Sequence, residues 1–131
     1  MARHTTQRQA IQAVFDTANR PIGPQEVRQA AQEASPALGM ATVYRAINNL
    51  LEEGWLVSVN LPGEPARYER AGKRHHHHFH CNQCNRVFEA DGCSLSLKNL
   101  VPEGFKLMTH EIVLYGLCAG CSVSESTSTR A

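Results

Sequence analysis

Apolar residues recur at helical spacing through the first third of the chain. Ile11, Val14 and Phe15 share one face of a segment that Thr5 or Thr6 can cap. The cluster Asn19–Arg20–Pro21–Ile22–Gly23–Pro24 predicts a turn. Gln25 to Ala34 is Ala- and Gln-rich and opens just after a proline, which predicts a second helix that Ser35–Pro36 breaks. Val43, Ile47, Leu50 and Leu51 stripe a third helix over Met40 to Glu53, with Gly54 ending it. Trp55 to Asn60 then reads as a strand, residues 61–65 as a turn, and Ala66 to Glu69 as the returning strand. Three helices followed by a β-hairpin make a winged helix, whose third helix is the natural reader of a major groove. A small helical domain with an appended hairpin satisfies the same periodicity.

Beyond Glu69 the pattern changes. Residues 71–74 (Ala-Gly-Lys-Arg) read as a hinge. Strands are expected around His76–Cys81 and Arg86–Glu89, a helix near Ser94–Leu100 and a long strand over Lys106–Tyr115. Residues 122–131 are Ser/Thr-rich with Val123 as their only large hydrophobe, and are expected to be a disordered tail. The fold class is thus α+β: a winged helix over 1–70, the hinge, a small second domain over 75–121, and the tail.

With 131 residues and 42% hydrophobic content, a core is feasible in one compact domain or two very small ones. No apolar run approaches the roughly 20 residues that span a bilayer, and Met1 to Ala10 is polar, unlike a signal peptide. A cytoplasmic protein with no membrane partner is expected. The net charge of +1 does not announce a nucleic-acid binder, so any DNA-binding surface must focus its basic groups on one face. Arg3, His4 and Arg8 precede the first acid, Asp16, which makes the N-terminal arm locally basic; on charge alone it reads as a solvated, frayed terminus.

Five Cys and seven His are what set this composition apart. In a reducing compartment paired cysteines read as metal ligands or redox centres rather than disulfides. Cys81-x-x-Cys84 and Cys118-x-x-Cys121 form two knuckles, and two such pairs complete a tetrahedron of soft donors suited to zinc. His75–His76–His77–His78–Phe79–His80 runs directly into Cys81. On a strand His75 and His77 point one way and His76, His78 and His80 the other, so one strand can feed two sites. Cys93 follows Asp91–Gly92 at the start of an expected helix, where a thiol ionises more easily. His75, His77, Cys93 and His110 together would make a second, mixed nitrogen–sulfur set, weaker and more pH-sensitive than four thiolates.

These residues, taken in order, resemble the ferric uptake regulator family. The resemblance rests on Gly39–Met40–Ala41–Thr42–Val43–Tyr44–Arg45 in the third helix and on Arg67–Tyr68–Glu69. It rests further on the His-rich strand entering Cys81-x-x-Cys84 and on Leu114–Tyr115–Gly116–Leu117–Cys118-x-x-Cys121; it covers about residues 3 to 121. It implies a winged helix joined to a small α/β dimerisation domain, a homodimer, and metal-dependent binding of an inverted-repeat operator on double-stranded DNA, mainly as a repressor. It also implies DNA contacts by Thr42, Tyr44 and Arg45 on the third helix and by Arg3 in the minor groove, and a structural Zn2+ on the two Cys pairs. His75, His77 and His110 match ligands of a site in the dimerisation domain, where Cys93 stands in place of a common Glu. Glu69, His76 and His78 match ligands of an interdomain site.

Two departures bear on the metal. The position at which iron and peroxide sensors usually supply a His to the interdomain site is Pro21 here, with His4 or His80 as conceivable replacements. Cys93 softens the other site, and softer donors shift preference from Fe2+ toward Zn2+. Both departures are similar to the zinc uptake regulator branch. The expected function is therefore zinc-responsive regulation of zinc homeostasis genes, with Zn2+ both structural and regulatory; the alternative is an iron- or peroxide-responsive regulator of the same family. A zinc hydrolase needs an open coordination position and a nearby base, and both donor sets here fill to four with no Ser/His/Asp or H-E-x-x-H pattern. No enzyme is expected. A zinc-storage module is the remaining rival.

Overall fold

The computed structural model describes residues 2–91 and 97–128, apart from the side chains of residues 2–5, 98 and 124–128. The chain divides into two compact units, after Lys73 and so within the 71–74 stretch. Among the described residues no helix is long and apolar enough to cross a membrane.

The first unit contains α1 (Ala2–Ala18), α2 (Pro24–Ala31), α3 (Met40–Glu52), β1 (Leu56–Val59) and β2 (Arg67–Arg70). α1 begins at Ala2, so the residues expected to be an arm form its first turn; Thr5 and Thr6 lie inside the helix instead of capping it. Pro24 opens α2 at a position where a missing N–H costs nothing. The turn after α2 is tied back to it, because Arg28 Nε and Gln32 Nε2 both donate to the Leu38 carbonyl (3.3 and 3.1 Å). α3 ends in a Schellman motif. Trp55 N–H donates to Leu50 O (2.9 Å) and Gly54 N–H to Leu51 O (3.1 Å), while Gly54 adopts φ 79°, which a residue with a Cβ enters at a cost.

The apolar stripes of the three helices meet in one core of Ile11, Phe15, Ile22, Val27, Ala31, Leu38, Val43, Ile47, Leu50 and Leu56. Fully burying each large aliphatic or aromatic side chain there contributes about 1.5–3 kcal/mol. β1 and β2 pair antiparallel, with Leu56 opposite Arg70 and Val59 opposite Arg67, and Ile22 bridges to Tyr68 through two backbone bonds (3.0 and 2.9 Å). Trp55 fixes the hairpin to the helices by its edge contact with Phe15 (6.3 Å between centroids), and the Arg70 guanidinium lies 4.0 Å above its ring. Three helices and a hairpin wing are the winged helix expected from the periodicity.

The second unit is built on a three-stranded sheet of order β4-β3-β5, with β3 (His76–Cys81), β4 (Val87–Asp91) and β5 (Val113–Gly116). β3 runs antiparallel to β4, with Phe79 opposite Phe88, and parallel to β5, with Phe79 opposite Leu114. Gly116 lets Phe79 approach: a Cβ there would stand 3.1 Å from the Phe79 ring.

Three expectations for this half are corrected. The long strand over Lys106–Tyr115 is only Val113–Gly116, because the parallel register sets Val113 opposite His78, and anything before residue 111 would have to pair upstream of His76, where β3 has not begun. The expected helix over Ser94–Leu100 is, in its described part, a single 3-10 turn at Lys98–Leu100; residues 94–96 lie outside the described residues. The expected disordered tail over 122–131 is helical through Ser128, as α4 (Ala119–Ser128); residues 129–131 lie outside the described residues. The turn around Cys118 supplies that helix's nucleus, since Ser122 N–H donates to Cys118 O (2.7 Å), and nucleation is the costly step that Ser/Thr-rich sequence lacks by itself.

Candidate metal centres and nucleic-acid interface

Cys81 ends β3, Cys84 lies in the tight turn toward β4, Cys118 follows β5, and Cys121 sits in the first turn of α4. The turn after Cys81 closes through Asn85 N–H to Cys81 O (3.0 Å) and Cys81 N–H to Arg86 O (2.9 Å), with Asn85 left-handed at φ 64°. His80 supports that turn from behind, donating from Nε2 to Asn85 Oδ1 (2.6 Å).

The four sulfurs lie within 4.8 Å of one another. Two donors on a tetrahedral ion with ~2.3 Å metal–sulfur bonds stand about 3.8 Å apart, and Cys84 Sγ is 3.9 Å from Cys118 Sγ. Cys81 is fully buried, and its sulfur accepts N–H bonds from Cys84 and Cys118 (3.4 Å each). Such amide bonds, that of Cys84 foremost, lower its thiol to about 6, toward the thiolate that binds metal. Burial, followed by the neighbouring thiols, pushes Cys121 up to about 12. One site thus holds one thiol primed to ionise and another that needs a cation to do so. The donor set fits a closed, sulfur-only ion such as zinc.

The second cluster forms at the opposite end of β3. His75 Nε2 lies 3.1 Å from His77 Nε2 and 3.2 Å from His110 Nε2. Ligand nitrogens on a tetrahedral ion with ~2.0–2.1 Å bonds stand about 3.3 Å apart, so three imidazoles already occupy the corners of such a site. The parallel register explains the meeting, because His110 falls beside His75 when Val113 is opposite His78. Ile112 N–H donates to His77 Nδ1 (3.1 Å), which in the neutral ring leaves the proton on Nε2, so an ion held at Nε2 would take the place of that proton. Burial, then His75 and His110, holds His77 below the ordinary imidazole value, which favours the neutral ligand form. Cys93, the expected fourth member, lies outside the described residues.

His76 and His78 leave β3 on its other face with ring centroids 4.8 Å apart, and His76 Nδ1–H donates to Arg74 O (2.8 Å). Glu69 is a buried residue of β2 in the first unit. On α3, Tyr44 is half exposed, Arg45 is exposed and Thr42 is partly covered; Arg45 Nη2 donates to Thr42 Oγ1 (3.2 Å). The α1 backbone carries Arg3 in its first turn.

A winged helix joined to a sheet that gathers cysteine and histidine donors defines a metal-responsive transcription regulator. The chain belongs to the ferric uptake regulator family, whose sequence profile matches residues 1–115. It is similar to the ferric uptake regulation protein of Campylobacter jejuni, 30% identical over 125 residues that cover 92% of this chain and 80% of that one. It shares its fold with the Helicobacter pylori ferric uptake regulator, a structure described as having three functional metal binding sites. That match has a TM-score of 0.66 and 24% identity, covering 88% of this chain and 79% of the other. A zinc uptake regulator of M. tuberculosis matches with a TM-score of 0.51 and 26% identity over 92% of this chain and 95% of its own. Members of this family are dimeric DNA-binding regulators and not enzymes.

Proposed function

We propose that this chain is a zinc-responsive repressor that binds an inverted-repeat DNA operator as a homodimer, in the cytoplasm, and controls zinc homeostasis genes. The observation that carries the zinc reading is the donor chemistry of the second cluster. His75, His77 and His110 converge through nitrogen with no carboxylate among the described residues of the group. β4 ends at Asp91, opposite His76, and Cys93 stands two residues further along the chain. In this reading the Cys93 sulfur supplies the fourth donor. Nitrogen and sulfur together favour Zn2+ over Fe2+. The M. tuberculosis zinc uptake regulator supports the same reading.

Zinc bound to this set would cross-link the start of β3 to the segments before β5 and after β4. A ligand shifts the balance between two forms only by its differential affinity for them. A hundredfold gain in operator affinity needs about 3 kcal/mol of such coupling. The four cysteines hold the structural ion in this reading, and Thr42, Tyr44 and Arg45 face the DNA with Arg3 nearby. Support for the dimer comes from the second unit's surface. β5 is an open sheet edge carrying half-exposed Leu114 and Tyr115, and Leu100, Phe105 and Met108 are largely exposed. A monomer gains nothing from such a surface.

The Campylobacter relative's name favours the iron-responsive alternative. The test is operator binding titrated separately with zinc, ferrous iron and manganese under anaerobic, metal-buffered conditions, in wild-type and Cys93→Ala protein. Zinc should act at the lowest free concentration. Cys93→Ala should weaken the zinc dependence while the dimer stays folded. Unchanged zinc dependence in Cys93→Ala, or activation by ferrous iron alone, rejects the zinc reading.

A further inference from the structure

A groove of about 270 Å3 runs between α1 and α3, with Ile11 and Ala46 as its apolar lining and Gln7 and Arg8 on one side and Thr42, Arg45 and Asn49 on the other as its polar lining. Gln7 is the unexpected member. It stands one helical turn before Ile11 and two before Phe15, on the stripe that enters the core, and is only 8% exposed. An apolar residue would extend that stripe. The residue is largely covered, yet its amide is not among the buried polar atoms left without a partner, so the amide end opens to solvent. It lines the groove.

The groove's charges are unequal. Arg8 is neutralised by a bidentate pair with Glu53 at the end of α3 (Nη1 to Oε2, 3.0 Å). Arg45 bonds only the neutral Thr42 hydroxyl among the described residues, so its charge remains available at the mouth. Two amides, a hydroxyl and an uncompensated guanidinium make a donor-rich concavity beside the exposed face of α3. It is smaller than the usual 300–1,000 Å3 of a small-molecule site.

We propose that this groove cradles one phosphodiester group of the DNA backbone, with the Gln7 and Asn49 amides donating to its oxygens and Arg45 lending charge at the rim. This rests on the DNA-binding reading above and adds to it a contact that sets register and carries no sequence information. Gln7 is neutral and releases no counterion. Its contribution should therefore be the same at every salt concentration, unlike that of a lysine or arginine contact.

The test uses the full zinc-loaded chain, titrated by fluorescence anisotropy against a duplex selected from a random pool and a scrambled duplex of equal composition. Gln7→Leu should weaken both about tenfold with an unchanged salt slope. Gln7→Glu, which keeps the shape and brings a negative charge, should weaken both further. Asn49→Ala, at an exposed position, should repeat the Gln7→Leu pattern without repacking the core. Scanning the selected duplex with single methylphosphonates should reveal one position per half-site at which Gln7→Leu costs nothing more. Gln7→Leu and Asn49→Ala proteins that keep both affinities, or lose only the selected duplex, overturn the phosphate assignment. A wild-type protein that binds neither duplex overturns the DNA-binding reading itself.

Discussion

The two units are held together by different chemistry. Among the described residues, the first unit buries twelve hydrophobic side chains from Ile11 to Leu61 and Pro21 besides, whereas the second buries Cys81 and Val87, together with His77 and His80. The first is an ordinary hydrophobic core wrapped by three helices. The second has a small sheet, a half-buried Phe79–Phe88 pair and two clusters of metal-type donors. Domains of about this size seldom close on apolar burial alone and use metals or oligomerisation to compensate. The half that carries the clusters of metal-type donors is thus the half whose own packing is least sufficient, and its folding can be made conditional on an ion.

The sharpest way to break this contrast is Cys81→Ser. Structural zinc contributes about 10–16 kcal/mol in small metal-dependent domains, far more than the two buried apolar residues of the second unit can replace. The variant should lose bound zinc and the sheet signal in circular dichroism. Fluorescence of Trp55, the chain's single tryptophan and a first-unit residue, should stay native. A Cys81→Ser protein whose second unit survives strong chelation would show that apolar packing suffices there after all.

The converse perturbation is Ile47→Ala. Ile47 is 1% exposed at the centre of the first core. Its truncation should cost about 2–5 kcal/mol through lost burial and a cavity. The loss should appear as an earlier Trp55 transition in urea, equal with and without chelator. A chelator-dependent shift would mean that the two units do not stabilise independently.

Legibility in the sequence follows the same division. Where burial is periodic, as at Ile11, Phe15, Val43, Ile47 and Leu50, the helices could be placed from pattern alone, and Gly54 marked the end of α3. The cysteine pairs were legible because ligand spacing is local chemistry. Pattern failed where structure depends on a distant partner. Among the described residues, 106–110 carry strand-like sequence but fall upstream of the start of β3 in the parallel register, and the Ser/Thr-rich 122–128 stretch follows a helix nucleus set by the Cys118 turn. The meeting of His75, His77 and His110 depends on the parallel register of β3 and β5, which no local pattern encodes. Gln7 did leave a signal, a polar residue at the i−4 position of the Ile11–Phe15 stripe, but such a signal becomes informative only once the groove is seen.

The smallest expected effect concerns protons at the second cluster. Burial and the neighbouring imidazoles of His75 and His110 keep His77 below the ordinary histidine value, which is about 6.5 in an unfolded chain. On acidification the unfolded chain therefore takes up this proton first. The contribution of His77 to stability is at its full value above about pH 6.5 and falls as pH drops from there to its own lower value. Bound zinc steepens the dependence in the same direction, because it accepts only unprotonated imidazole. The measurement is the urea midpoint of the zinc-loaded chain followed by the near-ultraviolet signal of the second unit across this range. Wild-type protein should lose stability on acidification and His77→Asn should lose less, with Trp55 reporting no change in either. Parallel pH curves for the two proteins would remove His77 as a source of the second unit's acid sensitivity.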